Sequence, residues 1–152
     1  MMNKNLDDVF VEDVCIIAKN LSEFHNDLNE KTVLIAGGKG FLGTYFKNVL
    51  IQINETLSKP MKIIIMDSLI TSKEKNDEKN PNIEFLEQDI SQSFEIQNDI
   101  DYIIHTASIA SPPTYRKFPI KTVDVNYEGT KNLLELAKEK KVTSMLFLSS
   151  SE

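Results

Sequence analysis

Between Lys31 and Asp67 the chain passes through a short apolar run, a glycine cluster, an amphipathic stretch and a second apolar run. Thr32-Val-Leu-Ile-Ala36 is rich in β-branched residues and stops on glycine. Phe41 to Ile53 places Phe41, Leu42, Tyr45, Phe46, Val49, Leu50 and Ile53 at helical intervals, and Lys62-Ile-Ile-Ile-Met-Asp67 is again apolar without alternation. A strand that does not alternate is covered on both faces, which calls for a parallel sheet with crossover helices. Ile83-Glu-Phe-Leu86, Tyr102-Ile-Ile-His105 and Ser144-Met-Leu-Phe-Leu148 supply three further strands. Lys121 to Lys140 reads as one long helix with Val125, Leu133, Leu134 and Ala137 on its apolar side, and Thr71 to Asn82 as a solvated loop. Because such crossovers are right-handed, the pattern predicts a doubly wound α/β sheet.

Ahead of this unit, Leu6, Val9, Phe10, Val14, Ile17, Leu21, Phe24 and Leu28 recur every three or four residues. That stripe predicts an added N-terminal helix over residues 1–30, preceding a domain of residues 31–152. The helix covers part of the domain surface or serves as a dimerisation or partner helix. Cys15 falls on an apolar helical spacing and reads as a small core or interface residue rather than a nucleophile.

The remaining composition narrows the class. With 152 residues, 41% hydrophobic and 26% charged, the chain suits one globular domain that needs no metal or disulfide staple. No stretch approaches the ~18 apolar residues of a membrane span. Asp7, Asp8, Glu12 and Asp13 interrupt any secretory signal, so the expected compartment is the cytoplasm. Asp and Glu number 23 against 17 Lys and Arg, a net charge of -6, and Arg116 is the only arginine. Nucleic acid and membrane are therefore not expected partners.

The glycine cluster carries the functional signal. Gly37-Gly-Lys-Gly-Phe-Leu-Gly43 follows a predicted strand and opens a predicted helix. It reads as Gly38-x-Gly40-x-x-Gly43 or as Gly37-x-x-Gly40-x-x-Gly43. In a dinucleotide fold one glycine makes the tight turn, one admits a pyrophosphate to the backbone and one lets helix and strand pack closely. The phosphates then sit on the N–H groups around Phe41 and Leu42. Asp67 ends the second strand, where a carboxylate accepts from both ribose hydroxyls and repels a 2′-phosphate. This favours NAD over NADP, although Lys73 and Lys75, a few residues on, could partner a phosphate. A plain strand-to-helix turn and an ordinary strand-end acid are the bland alternatives. The predicted class is a Rossmann-type doubly wound parallel sheet.

Taken together, these segments resemble the extended short-chain dehydrogenase/reductases, the NAD-dependent epimerase/dehydratase family acting on nucleotide sugars. The resemblance runs from about Lys31 to Glu152. Ala36-Gly-Gly-Lys-Gly-Phe-Leu-Gly43 is similar to the family's glycine loop, Asp67 to its ribose acid, and Asp89-Ile90 to its adenine-contacting pair. His105-Thr-Ala107 is similar to its strand-four motif, whose backbone, at Ala107, borders the nicotinamide half. Asn126-x-x-Gly129-Thr130-x-Asn132-Leu-Leu-Glu-x-Ala137 is similar to its central helix, and Leu146-Phe-Leu-Ser-Ser-Ser-Glu152 to its fifth strand entering the active site. His105-Thr-Ala-Ser-Ile-Ala-Ser-Pro-Pro-Thr-Tyr115 with Pro119-Ile-Lys-Thr122 most resembles the branch that decarboxylates UDP-glucuronate. Ser68, Ile109 and Ala36 depart from that branch's Asn, Pro and Thr.

The resemblance implies a site. Gly37, Gly40, Phe41, Leu42, Gly43, Asp67, Asp89, Ile90, Ala107 and Thr122 would contact NAD. Ser108 and Lys121 would contact a nucleotide sugar, expected to be a UDP-sugar. Ser150 and Glu152 would be the catalytic residues in this chain, and no metal is implied. The implied reaction is transient hydride transfer to bound NAD, with decarboxylation, dehydration or epimerisation of the oxidised sugar. Its base would be a tyrosine followed four residues later by lysine. Tyr45, Tyr102 and Tyr115 are followed at that distance by Val49, Thr106 and Pro119. Tyr127–Lys131 has the spacing but falls inside the central helix motif, where it reads as coincidence. The chain is thus expected to be the cofactor half of such an enzyme, truncated after strand five and inactive alone. The full-length protein is expected to be a possible homodimer. The alternative is a non-catalytic dinucleotide-binding module whose N-terminal helix binds a partner.

Overall fold

The structure is a computed structural model that describes residues 6–71 and 80–149. Five strands form one parallel sheet: β1 (Thr32–Ala36), β2 (Lys62–Asp67), β3 (Ile83–Glu87), β4 (Tyr102–His105) and β5 (Ser144–Phe147). Their order is β3-β2-β1-β4-β5, so the chain leaves β1 toward one edge and later returns to its other side. Ala36 is paired with Met66 on one flank and with His105 on the other, which brings the C-terminal ends of β1, β2 and β4 level.

The unbroken apolar runs fill both faces, as the sheet requires. Leu34, Ala36, Ile64, Met66 and Ile103 face one core together with Ile90, Val125, Leu133 and Leu136. Val33, Ile35, Ile63 and Ile65 face the other, against Val49, Leu50 and Ile53 of α2 (Phe41–Asn54). Burying one such side chain contributes about 1.5–3 kcal/mol, so the central strands anchor both layers. Asn54 ends α2 and fixes the turn into β2. Its side-chain amide donates to the Met61 carbonyl (3.0 Å), and its oxygen accepts the Met61 N–H (2.8 Å).

Several expectations need correction. The N-terminal stripe is not one helix: α1 covers Leu6–Asn20, and Ser22–Leu28 is a 3₁₀ segment. The step from Leu21 to Phe24 is three residues, a spacing that fits three residues per turn as well as 3.6, so periodicity could not locate the break. Val14 and Ala18 of α1 join the core beneath α2, whereas Val9, Ile17, Leu21 and Phe24 are exposed. Cys15 is exposed at the seam with α2, its Sγ 3.8 Å from the Gln52 side-chain oxygen, and is no core residue.

The predicted Lys121–Lys140 helix is preceded by a short α3 (Pro112–Lys117), whose prolines occupy the first helical positions, where no N–H is needed. It is itself divided into α4 (Pro119–Asp124), a π turn (Val125–Gly129) and α5 (Thr130–Lys140). The π turn holds more residues per revolution than the helices on either side of it. Leu136 is buried and Leu134, expected on the apolar side, is exposed. Strand five stops at Phe147, and no regular helix lies between β3 and β4. Among the described residues no helix is long and apolar enough to cross a membrane.

Candidate functional site

The glycine loop turns the chain sharply at the end of β1. Gly37 has φ +81°, and a Cβ there would lie 2.6 Å from the Ala107 backbone, so the loop presses against the segment leaving β4. Gly37 donates its N–H to the Met66 carbonyl (2.8 Å), and Gly40 donates to the Gly37 carbonyl (3.0 Å). The Thr106 hydroxyl lies within hydrogen-bond reach of the Ala36 and Gly37 carbonyls, at 2.8 and 3.0 Å. These contacts tie β1, β2 and β4 together where the sheet changes direction. Thr44 N–H to Gly40 carbonyl (2.9 Å) is the first full turn of α2, which leaves the N–H groups of Phe41, Leu42 and Gly43 ahead of the helical ladder.

A cleft opens over this switch point. Gly37, Gly40, Asp67, Asp89, Ala107 and Ser108 line it, and Ile90 and Val125 close its apolar floor. Asp67 is held from two sides: one carboxylate oxygen accepts the Lys39 N–H and the other the Leu69 N–H, both at 2.9 Å. Leu69 adopts a left-handed φ of +56°, an uncommon cost for a branched side chain, immediately beyond this acid. The acid at the strand end therefore shapes the glycine loop as well as facing the cleft.

Lys121 does not project alone. Its ammonium is paired with the Asp89 carboxylate and donates to the Ser91 hydroxyl at 2.7 Å. Ser91 also donates its N–H (3.0 Å) and its hydroxyl (2.8 Å) to Asp89. Burial pushes the Asp89 carboxyl upward, but the Lys121 and Ser91 bonds outweigh it and hold the group below the ordinary carboxylate range. Next to it Ile90 packs on Gly129, where a Cβ would come within 2.6 Å of the isoleucine side chain. The loop after β3 is thus locked to the helix after β4.

On the other wall, Ser108 donates to the Asn126 side-chain oxygen (3.0 Å). Thr130 donates its hydroxyl proton back to the Asn126 carbonyl (2.6 Å). Its oxygen then accepts from Nε2–H of the buried His105 at 2.9 Å. The opposite nitrogen, Nδ1, is buried without a partner among the described residues. Burial disfavours the imidazolium and lowers the His105 pKa to about 4. The ring stacks at a tilt on Phe147, 5.0 Å between centroids.

Of the residues singled out from the sequence, Gly37, Gly40, Asp67, Asp89, Ile90, Ala107 and Ser108 meet in the cleft. Phe41 faces a neighbouring groove beside α1, Lys121 reaches the cleft through Asp89, and Thr122 gives its hydroxyl to the Phe118 carbonyl (2.9 Å). Ser150, Glu152, Lys73 and Lys75 lie outside the described residues. Tyr127 is exposed and lies away from the cleft lining, and Lys131 sits 3.8 Å from the Glu128 carboxylate. Reading the sequence overlooked Ser91 and Thr106. For Ser91 the signal is an acid two residues earlier, the spacing of an Asx turn. Thr106, directly after a strand, has no comparable signal.

A parallel sheet with this strand order, a glycine loop into its first crossover helix and a cleft at the switch point defines a Rossmann-type nucleotide fold. Residues 33–152 match the NAD dependent epimerase/dehydratase family, and the chain belongs to it. It is 33% identical over 132 residues to UDP-glucuronic acid decarboxylase 1 of Danio rerio, an alignment covering 85% of this chain and 29% of that protein. The solved UDP-N-acetylglucosamine 4-epimerase of Methanobrevibacter ruminantium M1, in complex with UDP-N-acetylmuramic acid, superposes with a TM-score of 0.67. It is 27% identical, over 81% of this chain and 39% of that one. The dTDP-glucose 4,6-dehydratase of Bacillus anthracis, solved with NAD, has a TM-score of 0.60 at 26% identity, over 79% and 37%. The chain spans roughly a third of the length of these relatives.

Proposed function

We propose that residues 31–152 are the cofactor half of a cytoplasmic NAD-dependent enzyme that acts on a nucleotide sugar, with residues 1–30 as a helical extension. A UDP-sugar is the favoured substrate and UDP-glucuronate decarboxylation the favoured reaction, supported by the Danio rerio relative and by the segment Ser108 to Thr122. The observation that carries the reading is the Asp67 carboxylate lining one cleft with Gly37 and Gly40, at the sheet's switch point.

The residues fit a dinucleotide. A Cβ on Gly40 would touch only the Gly37 carbonyl, at 3.2 Å, so the backbone face there is open to a pyrophosphate. The N–H groups of Phe41, Leu42 and Gly43 supply donors at the positive end of α2. Asp67 keeps lone pairs for ribose hydroxyls, Asp89 and Ile90 border the adenine end, and Ala107 the nicotinamide end. Thr122 contributes from α4. Bound NAD supplies a reversible hydride acceptor. Ser108, steadied by Asn126, and Lys121 orient the nucleotide sugar, while Ser150 and Glu152 serve at the reacting end. No Tyr-x-x-x-Lys pair stands at this cleft among the described residues, and no residue described is assigned as the base. A homodimer of the whole protein is supported by Ile120, Val123 and Tyr127, which leave an apolar stripe exposed along α4 and the π turn.

The test is a calorimetric titration of residues 1–152 with NAD, alongside Gly40→Val. Gly40 has an ordinary φ of -74°, so valine meets no left-handed strain, and a thermal melt of both proteins reads the cost of its 3.2 Å approach to the Gly37 carbonyl. Binding by wild type, weakened at least tenfold in the variant, is expected. Equal affinity in two folded proteins removes the loop from the site.

A further inference from the structure

We propose that α1 is a positioning element for the first turn of α2, acting through Phe10, Asp13 and Tyr45. The tie to cofactor binding rests on the proposed role of the glycine loop in holding NAD. The family match begins at Val33, so α1 lies outside it.

The start of α2 is poorly supported by its own sequence. Its N-cap is Gly40, with no side-chain cap, and Gly43 sits in the first turn. Both choices suit close backbone approach, and both leave that turn with more freedom than capped, alanine-like positions would. Support comes from outside. The Phe10 ring meets Tyr45 edge-on, 4.7 Å between centroids at 71°. Tyr45 meets Phe41, the first residue of α2, at 5.4 Å and 69°. The Tyr45 hydroxyl donates to Asp13 at 3.3 Å, and burial together with the Asp13 carboxylate raises the phenol above its ordinary pKa. Phe10 and Tyr45 pack on the same core as the sheet, so the grip is anchored rather than floating. Asp7 and Phe10 also share one surface groove with Lys39, Gly40 and Phe41, which places α1 beside the loop itself.

A first turn held this way presents the Phe41, Leu42 and Gly43 N–H groups already oriented, and prior ordering improves affinity by removing the cost of ordering on binding. The extension is then part of the binding apparatus, not a cover.

The experiment uses the 1–152 chain and compares Phe10→Ala, the conservative Phe10→Tyr and a stability control, Ile53→Val, at the far end of α2. Amide exchange and NAD titration are read on each. Phe10→Ala is expected to speed exchange at Thr44 and Tyr45 about tenfold, to leave Val49 to Ile53 protected and to weaken NAD several-fold. Phe10→Tyr is expected to restore both, and Ile53→Val to change neither the first turn nor NAD affinity. Unchanged exchange at Thr44 and Tyr45 overturns the grip, as does an equal response in Ile53→Val. Faster first-turn exchange with unchanged NAD affinity overturns its bearing on the cofactor. A wild type that fails to bind NAD overturns the reading of the loop, and the exchange pattern still decides the grip.

Discussion

Gly43 and Gly37 are in direct backbone contact: a Cβ on Gly43 would stand 2.2 Å from the Gly37 carbonyl oxygen. No flexible side chain is available to yield. Gly43→Ala must push α2 away from the turn after β1, an overpacking that costs about 1–3 kcal/mol. Urea unfolding is expected to show that loss, and NAD binding is expected to weaken with it. A variant as stable as wild type would mean the start of α2 can shift freely.

Asp67 has two duties, which Asp67→Asn separates. The amide keeps one acceptor oxygen and turns an NH₂ toward either Lys39 N–H or Leu69 N–H, so one backbone bond is lost at about 1 kcal/mol. Losing the charged acceptor for the ribose costs a further ~1.5–3 kcal/mol of binding, roughly ten- to a hundredfold. Wild type is expected to favour NAD over NADP, and the gap is expected to shrink in the variant. A wild type that prefers NADP reverses the role given to this acid.

His105 makes the fold acid-sensitive. Its folded pKa of about 4 lies below the unfolded value of 6.5, so the unfolded chain takes up a proton first as pH falls. Stability contributed by the neutral ring is complete above pH 6.5 and declines until about pH 4, by up to about 3 kcal/mol. Below that both states are protonated and the loss levels off. His105→Phe is expected to flatten this part of the stability profile in denaturant melts at pH 7, 5.5 and 4.5. An unchanged slope would assign the acid limb to other groups.

The 1–152 chain is expected to release no CO₂ or UDP-xylose from UDP-glucuronate with NAD present. General acid–base assistance is worth about 10²- to 10⁴-fold, and positioning by the rest of the substrate site adds to it. Turnover at an enzyme-like rate would place the base inside these residues, and Tyr127 with Lys131 would be mutated first.

What the sequence made legible was whatever burial writes into composition. Ile63 to Met66 and Val33 to Ala36 had to be parallel central strands, since nothing polar interrupts either face. The glycine loop and Asp67 were legible because each position demands one residue type. The π turn was not legible: Val125, Gly129 and Leu133 sit four apart on the buried side, a spacing that an ordinary helix also shows, so nothing in the sequence marks the wider turn. The pairing of Lys121 with Asp89 was equally hidden. The partners lie 32 residues apart on different connections, and they meet where Ile90 packs on Gly129 and the Asn132 amide donates to the Ile90 carbonyl (2.8 Å).

The walls of the cleft come from stretches that begin at Gly37 and end at Val125, each following a different strand or, for Val125, opening the π turn. A molecule seated there is a splice between distant parts of the chain, and it strengthens the links whose formation sets the two halves of the sheet against each other. Ligand at a hundred times its dissociation constant adds about 2.7 kcal/mol to the native state. The melting temperature of the fold is thereby a gauge of how much nucleotide surrounds it.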